Sequence, residues 1–64
     1  MDLVEKIIDF RARNRMSQDE FAKGVGIDRV SLVKIEGRKR KPHTVNVRRI
    51  EIFMEDYNNK KGEQ

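Results

Sequence analysis

Apolar residues recur every three or four positions along most of the chain, which is the spacing that buries one face of a helix. In the first segment Leu3, Ile7 and Phe10 share such a face. Asp2 precedes them at the position of an N-cap, and Glu5 follows three residues later, as in a capping box. No window alternates apolar and polar residues long enough to predict a strand, so the expected class is all-α.

A second helix is predicted over about 17–25. Ser17 opens an S-x-x-E capping box, in which the serine and the glutamate each accept a hydrogen bond from the other's backbone N–H. Gly24 and Gly26 stand on either side of Val25, and glycine readily ends a helix. We therefore expect this helix to end after about two turns.

A third helix is predicted over about 28–36, after a turn of about three residues. Asp28 is its expected N-cap, and Gly37 is its expected end. Leu32 and Ile35 are its inward positions. Two short helices joined by a tight glycine-containing turn make a helix-turn-helix, whose second helix fits the DNA major groove.

A fourth helix is predicted after the basic loop that Pro42 closes, since proline lacks an N–H donor. Thr44 is the expected cap of this helix. Residues 58–64 carry no apolar side chain and are expected to form a frayed tail, which limits the predicted domain to residues 1–57. The apolar stripe of the fourth helix consists of Val47, Ile50, Phe53, Met54 and Tyr57.

The composition excludes several classes of protein. The chain has 64 residues, of which 36% are apolar and 41% are charged, so we expect one small domain with a thin core. It has no Cys and one His, which excludes disulfides and thiolate metal sites and gives no support to a cofactor or to an enzyme. No membrane span or signal peptide is visible, so a cytoplasmic protein is expected.

Positive charge is concentrated in residues 38–49. This segment holds six basic residues and no acidic one, whereas the whole chain has a net charge of +4, so the rest of the chain is slightly negative. A focused basic patch is typical of a protein with a polyanion partner. A solvated lysine-rich loop has the same composition and is the alternative.

Residues 17–42, SQDEFAKGVGIDRVSLVKIEGRKRKP, carry a more specific pattern than the helix lengths alone. Its features are Gln18, Phe21-Ala22, Gly26-Ile27, Leu32, Ile35-Glu36 and the basic loop before Pro42. This pattern resembles the Cro and cI-like repressors, also called the XRE family. The resemblance implies a four-helix, lambda-repressor-like helix-turn-helix domain, here in a minimal version without a fifth helix. It also implies a bacterial or phage-encoded regulator that binds a palindromic DNA operator as a homodimer.

Two positions depart from the pattern of the family. Gly37 follows Glu36 directly, and Arg38 stands where the family usually has glycine. Because a left-handed helix end costs a residue with a side chain about 1 kcal/mol, we expect the third helix to stop one residue early. Asp28 replaces the usual Ser or Thr cap, and its carboxylate repels a nearby phosphate.

The exposed start of the third helix is the expected base-reading surface. Counted from the cap, its outward residues are Arg29, Val30 and Lys34, with Ser31 or Val33 at the edges. Arg and Lys suit guanine, and a valine methyl group suits thymine. The alternative is that Arg29 and Lys34 only solubilise the helix, but Val30 and Val33 on the same side gain nothing from facing water.

The resemblance assigns further residues to phosphate contacts and to internal structure. Gln18 is the expected phosphate anchor at the start of the second helix. Arg11 and Glu36 are expected to form an internal ion pair, which removes Arg11 from the DNA contacts. The other expected contacts to the DNA backbone are Arg38, Lys39, Arg40, Lys41, His43, Arg48 and Arg49.

The leading hypothesis is therefore a sequence-specific regulator that binds double-stranded DNA through the helix at 28–36. The alternative is an antitoxin-like interaction module that also binds its own operator. RNA binding is a third reading, but the chain offers no aromatic stacking surface. The homodimer surface is expected from Val45 and Ile52, which lie outside the core stripe of the fourth helix, or from Tyr57.

Overall fold

Four helices make up the described part of the chain. In the computed structural model the backbone is described for residues 1–62 and the side chains for residues 1–60. No strand occurs among these residues, and the class is all-α, as expected. None of the helices within this range is long and apolar enough to cross a membrane. The helices are α1 (Leu3–Arg13), α2 (Gln18–Val25), α3 (Arg29–Glu36) and α4 (Thr44–Gly62).

Capping boxes begin the first two helices, as predicted. The Asp2 carboxylate accepts a hydrogen bond from the Glu5 N–H at 2.9 Å, and the Glu5 carboxylate accepts one from the Asp2 N–H at 3.3 Å. In α2 the Ser17 hydroxyl and the Glu20 carboxylate accept the equivalent two bonds, each at 3.0 Å. Each box satisfies two backbone N–H groups that lack a partner within the helix, so it determines where the helix begins.

Three helices are followed by a residue with a left-handed backbone. These residues are Arg15 with φ 51°, Gly26 with φ 95° and Arg38 with φ 59°. After α1, the Met16 N–H donates to the Arg11 carbonyl at 2.9 Å, which is the long hydrogen bond of a Schellman motif. The chain thus reverses tightly after each of the first three helices.

The end of α3 differs from the sequence expectation. Gly37 has φ −81°, and Arg38 takes the left-handed position, so the expectation of an end shifted to Gly37 is wrong. The Arg38 N–H donates to the Ile35 carbonyl at 3.1 Å, and the Lys39 N–H donates to the Lys34 carbonyl at 2.9 Å. These Schellman bonds satisfy the last carbonyls of the helix and hold an arginine where glycine is less costly.

The core is one cluster drawn from all four helices. The ring of Phe10 lies at its centre, with ring centroids 5.8 Å from Phe21 and 6.0 Å from Phe53. Tyr57 adds a further edge-to-face contact to Phe10 at 5.4 Å. α3 packs against α1 and α2, which leaves its opposite face exposed to solvent. The buried residues are Ile7, Phe10, Phe21, Ala22, Val25, Leu32, Ile35 and Ile50.

Gly24 lies inside α2 and permits the close approach of α4. A Cβ atom at this position would lie 2.4 Å from Phe53 Cε1, which is closer than carbon atoms pack. Phe53 cannot move aside cheaply, because its ring also contacts those of Phe10 and Phe21. Of the two glycines predicted to end the helix, Gly26 does so, whereas Gly24 is needed for packing.

α4 begins at Thr44, one residue earlier than its predicted cap implies, and continues past residue 57. The Val47 N–H donates to the His43 carbonyl at 2.9 Å, so His43 rather than Thr44 precedes the first helical turn. Residues 58–62, expected as part of a frayed tail, are helical. Helical hydrogen bonds form along the backbone itself and need no apolar side chain. Residues 63 and 64 of the expected tail lie outside the described residues.

Candidate nucleic-acid interface

The face of α3 that points away from the core forms a groove on the surface. Val30 and Val33 are 59% and 42% exposed, although both are apolar. Arg29 and Lys34, two of the predicted base-reading residues, are also exposed. The groove is lined by Arg29, Val30, Val33, Lys34, Gly37 and Lys39.

Helix geometry explains the order of side chains across this groove. Successive residues are about 100° apart around an α-helix, so Arg29 and Lys34 lie about 140° apart. Val30 and Val33 lie between them, about 100° and 40° from Arg29. Leu32 points to the other side and is fully buried. The groove therefore has an apolar centre with a cation on each side, an arrangement that suits thymine methyl groups flanked by guanine or phosphate.

Ser31, also predicted to read bases, is half-buried at the edge of this face and is bound to two charged residues. Its hydroxyl group donates to Asp28 Oδ1 and accepts a hydrogen bond from Arg40 Nη1 at 3.3 Å. The hydrogen bond from Ser31 lowers the pKa of Asp28, because it favours the ionised carboxylate. Asp28 makes no side-chain capping bond to α3, unlike the cap expected from the sequence. These contacts hold Arg40 beside the start of α3.

Arg38 is bound to the beginning of α1. Its Nη1 donates to Asp2 Oδ2 at 2.8 Å in an exposed ion pair. The Arg38 side chain lowers the pKa of Asp2, with help from the Glu5 backbone N–H, and Asp2 raises the pKa of Arg38. Since exposed ion pairs contribute little to stability, a phosphate group can compete with Asp2 for this guanidinium.

Gln18 belongs to a part-buried network at the end of α3. Its Nε2 donates to Glu36 Oε1 at 3.3 Å. The same carboxylate accepts bonds from Arg11 Nε at 2.8 Å and from Arg11 Nη2 at 2.6 Å, which is the ion pair that the resemblance implies. An amide nitrogen carries two hydrogens, so the bond to Glu36 leaves Gln18 a second donor for an anion.

The basic residues predicted to contact phosphates are divided between different surfaces. Lys39 lines the groove on α3, and Arg40 lies beside it through its bond to Ser31. Arg49 lines a second groove, between α2 and α4, that shares no residue with the first. The structure therefore brings Lys39 and Arg40 to α3 but does not bring Arg49 there. The other exposed members of the predicted set are Lys41, His43 and Arg48.

Gly37 lines the groove on α3 but was not predicted to lie on this face. It follows Val30 by seven residues, a spacing that returns to the same side of a helix, so extending the exposed stripe could have found it. Val33, expected at the edge of the base-reading face, lines the groove as well. Within residues 1–60, where side chains are described, no group of three or more His, Asp or Glu residues could hold a metal ion.

Comparison of the chain with protein-family models, curated proteins and solved structures gave no match in any of the three.

Proposed function

We propose that this chain is a sequence-specific double-stranded DNA-binding protein of the helix-turn-helix type that regulates transcription, with α3 as its recognition helix. The observation that carries the proposal is the outward face of α3, where two exposed valines lie between Arg29 and Lys34. Exposed apolar side chains in a surface groove are unfavourable in water and indicate a binding site. Methyl groups beside cations match the edges of base pairs in the major groove.

The charges around this groove support the same proposal. Lys39 extends the groove, and Arg40 is positioned by Ser31 next to the start of α3. Together with Lys41 they provide cations for the phosphates on either side of a groove that α3 enters. Asp28 places an opposing charge at this helix start, and Arg40 lies close enough to offset it.

The Cro and cI-like resemblance adds two expectations to this proposal. Gln18 at the start of α2 would donate its second amide hydrogen to a phosphate, where the helix N-terminus already favours an anion. Two copies on a palindromic site would place two recognition helices in successive major grooves, about 34–36 Å apart. We therefore propose a homodimer, at least on DNA.

Selection from random double-stranded oligonucleotides, followed by sequencing, tests the proposal. The wild-type chain should enrich a palindromic sequence, because each copy reads one half-site. Val33→Asp should abolish this enrichment, since it places a negative charge in the centre of the groove. Ile8→Asp is the matched control, because Ile8 is 44% exposed on α1, close to the 42% of Val33, but does not line this groove.

Two outcomes would contradict the proposal. The first is a wild-type chain that enriches no sequence over the starting pool, which would exclude sequence-specific binding. The second is a Val33→Asp variant that selects the same sequence as the wild type, which would exclude α3 as the reading helix.

A further inference from the structure

The outward side of α4 carries an exposed apolar line. Val45 and Ile52 are 63% and 47% exposed, and neither contributes to the core. They are seven residues apart, so two helical turns bring them to the same side of the helix. Ile50 points to the opposite side and is fully buried. Exposed apolar side chains that share one side of a helix suit a surface that another molecule covers.

Charged residues flank the apolar line in a regular order. With Ile52 as the middle of the face, Arg48 and Glu55 lie about 40° and 60° to one side of it. Arg49 and Asp56 lie about 60° and 40° to the other side. None of these four side chains forms an ion pair with another residue whose side chain is described. Along α4 the basic pair precedes Ile52 and the acidic pair follows it.

We infer that a second copy of this chain covers this face, with its α4 antiparallel to the first. A twofold axis between the two Ile52 side chains brings them into contact and reverses the order of the flanking charges. Arg49 then lies against the partner's Asp56, and Arg48 lies against the partner's Glu55. Since each pair occurs twice, four opposite-charge pairs surround the apolar centre, as in paired helices of a coiled coil.

The same charges disfavour a parallel pair of α4 helices. In a parallel pair the residues at equal heights face each other, so Arg48 would lie against the partner's Arg49. Glu55 would lie against the partner's Asp56 in the same way. Like charges oppose association, whereas opposite charges favour it and set the orientation of the partners. The same surface therefore carries the basic residues and the acidic residues that match them in an antiparallel partner. This charge complementarity identifies a second copy as the partner.

The groove between α2 and α4 borders this face. Its α4 wall carries Arg49, Asp56 and Lys60 in that order along the helix. Because Lys60 lies beyond Asp56, the four charges that flank Ile52, and not this groove, set the orientation of the partner.

This inference develops the homodimer of the proposed function and assigns both Arg48 and Arg49 to the dimer surface instead of to phosphates. Its apolar centre is small, so we expect weak association in solution. DNA with two half-sites would strengthen the dimer, because it holds both copies at a high effective concentration.

Sedimentation equilibrium of the full chain without DNA tests the inference, at protein concentrations up to about 1 mM because small interfaces associate weakly. The wild type should show a monomer–dimer equilibrium that weakens as salt is added. Ile52→Lys should abolish the dimer. Ile8→Lys, at an isoleucine on α1 of similar exposure, should leave it unchanged. Circular dichroism verifies that both variants keep the helical fold.

Charge reversal tests the antiparallel orientation. Arg49→Glu and Asp56→Arg should each weaken the homodimer about tenfold, because both contacts between positions 49 and 56 become repulsive. An equimolar mixture of the two variants should recover the wild-type association, since both contacts are attractive again in the mixed dimer. Neither substitution opposes the helix dipole, because the new acid lies nearer the start of α4 and the new base lies nearer its end.

A wild type that stays monomeric at the highest concentration would overturn the inference. So would charge-reversed variants that associate like the wild type, or that fail to recover on mixing. These results do not depend on DNA, so they are separable from the oligonucleotide selection. A selected palindrome with a monomeric chain would refute this dimer alone, and a dimer without a selected sequence would refute the DNA-binding proposal alone.

Discussion

Arg11 and Glu36 are 25 residues apart in the chain and form a two-pronged ion pair between α1 and α3. Each carboxylate oxygen accepts one bond from Arg11: Oε2 from Nε at 2.8 Å and Oε1 from Nη2 at 2.6 Å. The Glu36 side chain is only 8% exposed, and that of Arg11 is 20% exposed. Because Glu36 is the last residue of α3, this pair fixes the orientation of α3 against α1 and therefore the direction in which its groove faces.

Removing one member of this pair should destabilise the fold more than removing both. Arg11→Met leaves a nearly buried carboxylate without its cation and should lower the free energy of unfolding by about 3 kcal/mol. Arg11→Met/Glu36→Leu removes both charges and should recover most of that loss. Urea denaturation of the wild type and both variants measures the difference. A double variant less stable than the single one would contradict this account of the burial cost.

Gly24→Ala should destabilise the chain by about 1–3 kcal/mol, because the new methyl group overlaps the ring of Phe53. Helix propensity alone predicts the opposite sign, since alanine is favoured over glycine by up to about 1 kcal/mol inside a helix. The same substitution should cost less in a Phe53→Leu background, where the ring is gone. Chemical denaturation of this double-mutant cycle tests the contact, and equal costs in both backgrounds would exclude it.

Arg15→Gly should stabilise the fold by up to about 1 kcal/mol, because Arg15 follows α1 with φ 51°. Gly26→Ala should destabilise it by about the same amount. A Cβ atom at Gly26 would have no neighbour within 4 Å, so the loss must come from its φ of 95°. Thermal unfolding should show Tm shifts of opposite sign, about 4–8 °C each for a domain of this size. Shifts of the same sign would contradict the backbone explanation.

Arg29→Ala should lower affinity for the selected DNA site by about 1–3 kcal/mol and flatten the preference at one base pair per half-site. Binding to random DNA should fall much less. Arg29→Lys should also weaken binding, because lysine cannot copy the two-pronged contact of arginine to guanine. A binding scan over every position of the site checks this. If Arg29→Ala lowered affinity for all sequences equally, Arg29 would be a phosphate contact.

Replacing both Lys39 and Lys41 by alanine should weaken binding to the selected site and to random DNA alike. Each phosphate neutralised contributes about −0.9 to the slope of log K against log salt, so this slope should become shallower by up to roughly two. Titrations at several salt concentrations measure it. A variant that loses affinity for the selected site but keeps its affinity for random DNA would contradict this prediction. That result would assign both lysines to base reading.

Local chemistry made the starts of α1 and α2 predictable from the sequence. The Asp2 and Ser17 boxes consist of hydrogen bonds between residues three positions apart, so no distant part of the chain is needed to form them. The buried faces were predictable for the same reason, because apolar spacing specifies which side of a helix avoids water. Leu32, Ile35 and Ile50 were expected inward and are buried.

The left-handed position after α3 was not predictable from residue preference. Glycine is favoured there over arginine by about 1 kcal/mol, which pointed to Gly37. In the structure Arg38 takes this conformation and binds Asp2, which is 36 residues away in the chain. A local preference of this size is outweighed once the Schellman bonds and the path of the following loop are set by the packing of α3.

The sequence by itself therefore determined the number of helices, most of their limits and the residues that face outward on α3. Only the tertiary structure decided which side chains share a surface: Ser31 lies with Arg40, whereas Arg49 lies in a different groove from Lys39. The reason is that helical periodicity specifies a direction around one helix axis. What lies opposite that direction depends on the angles between helices, which the buried core and the pair between Arg11 and Glu36 set.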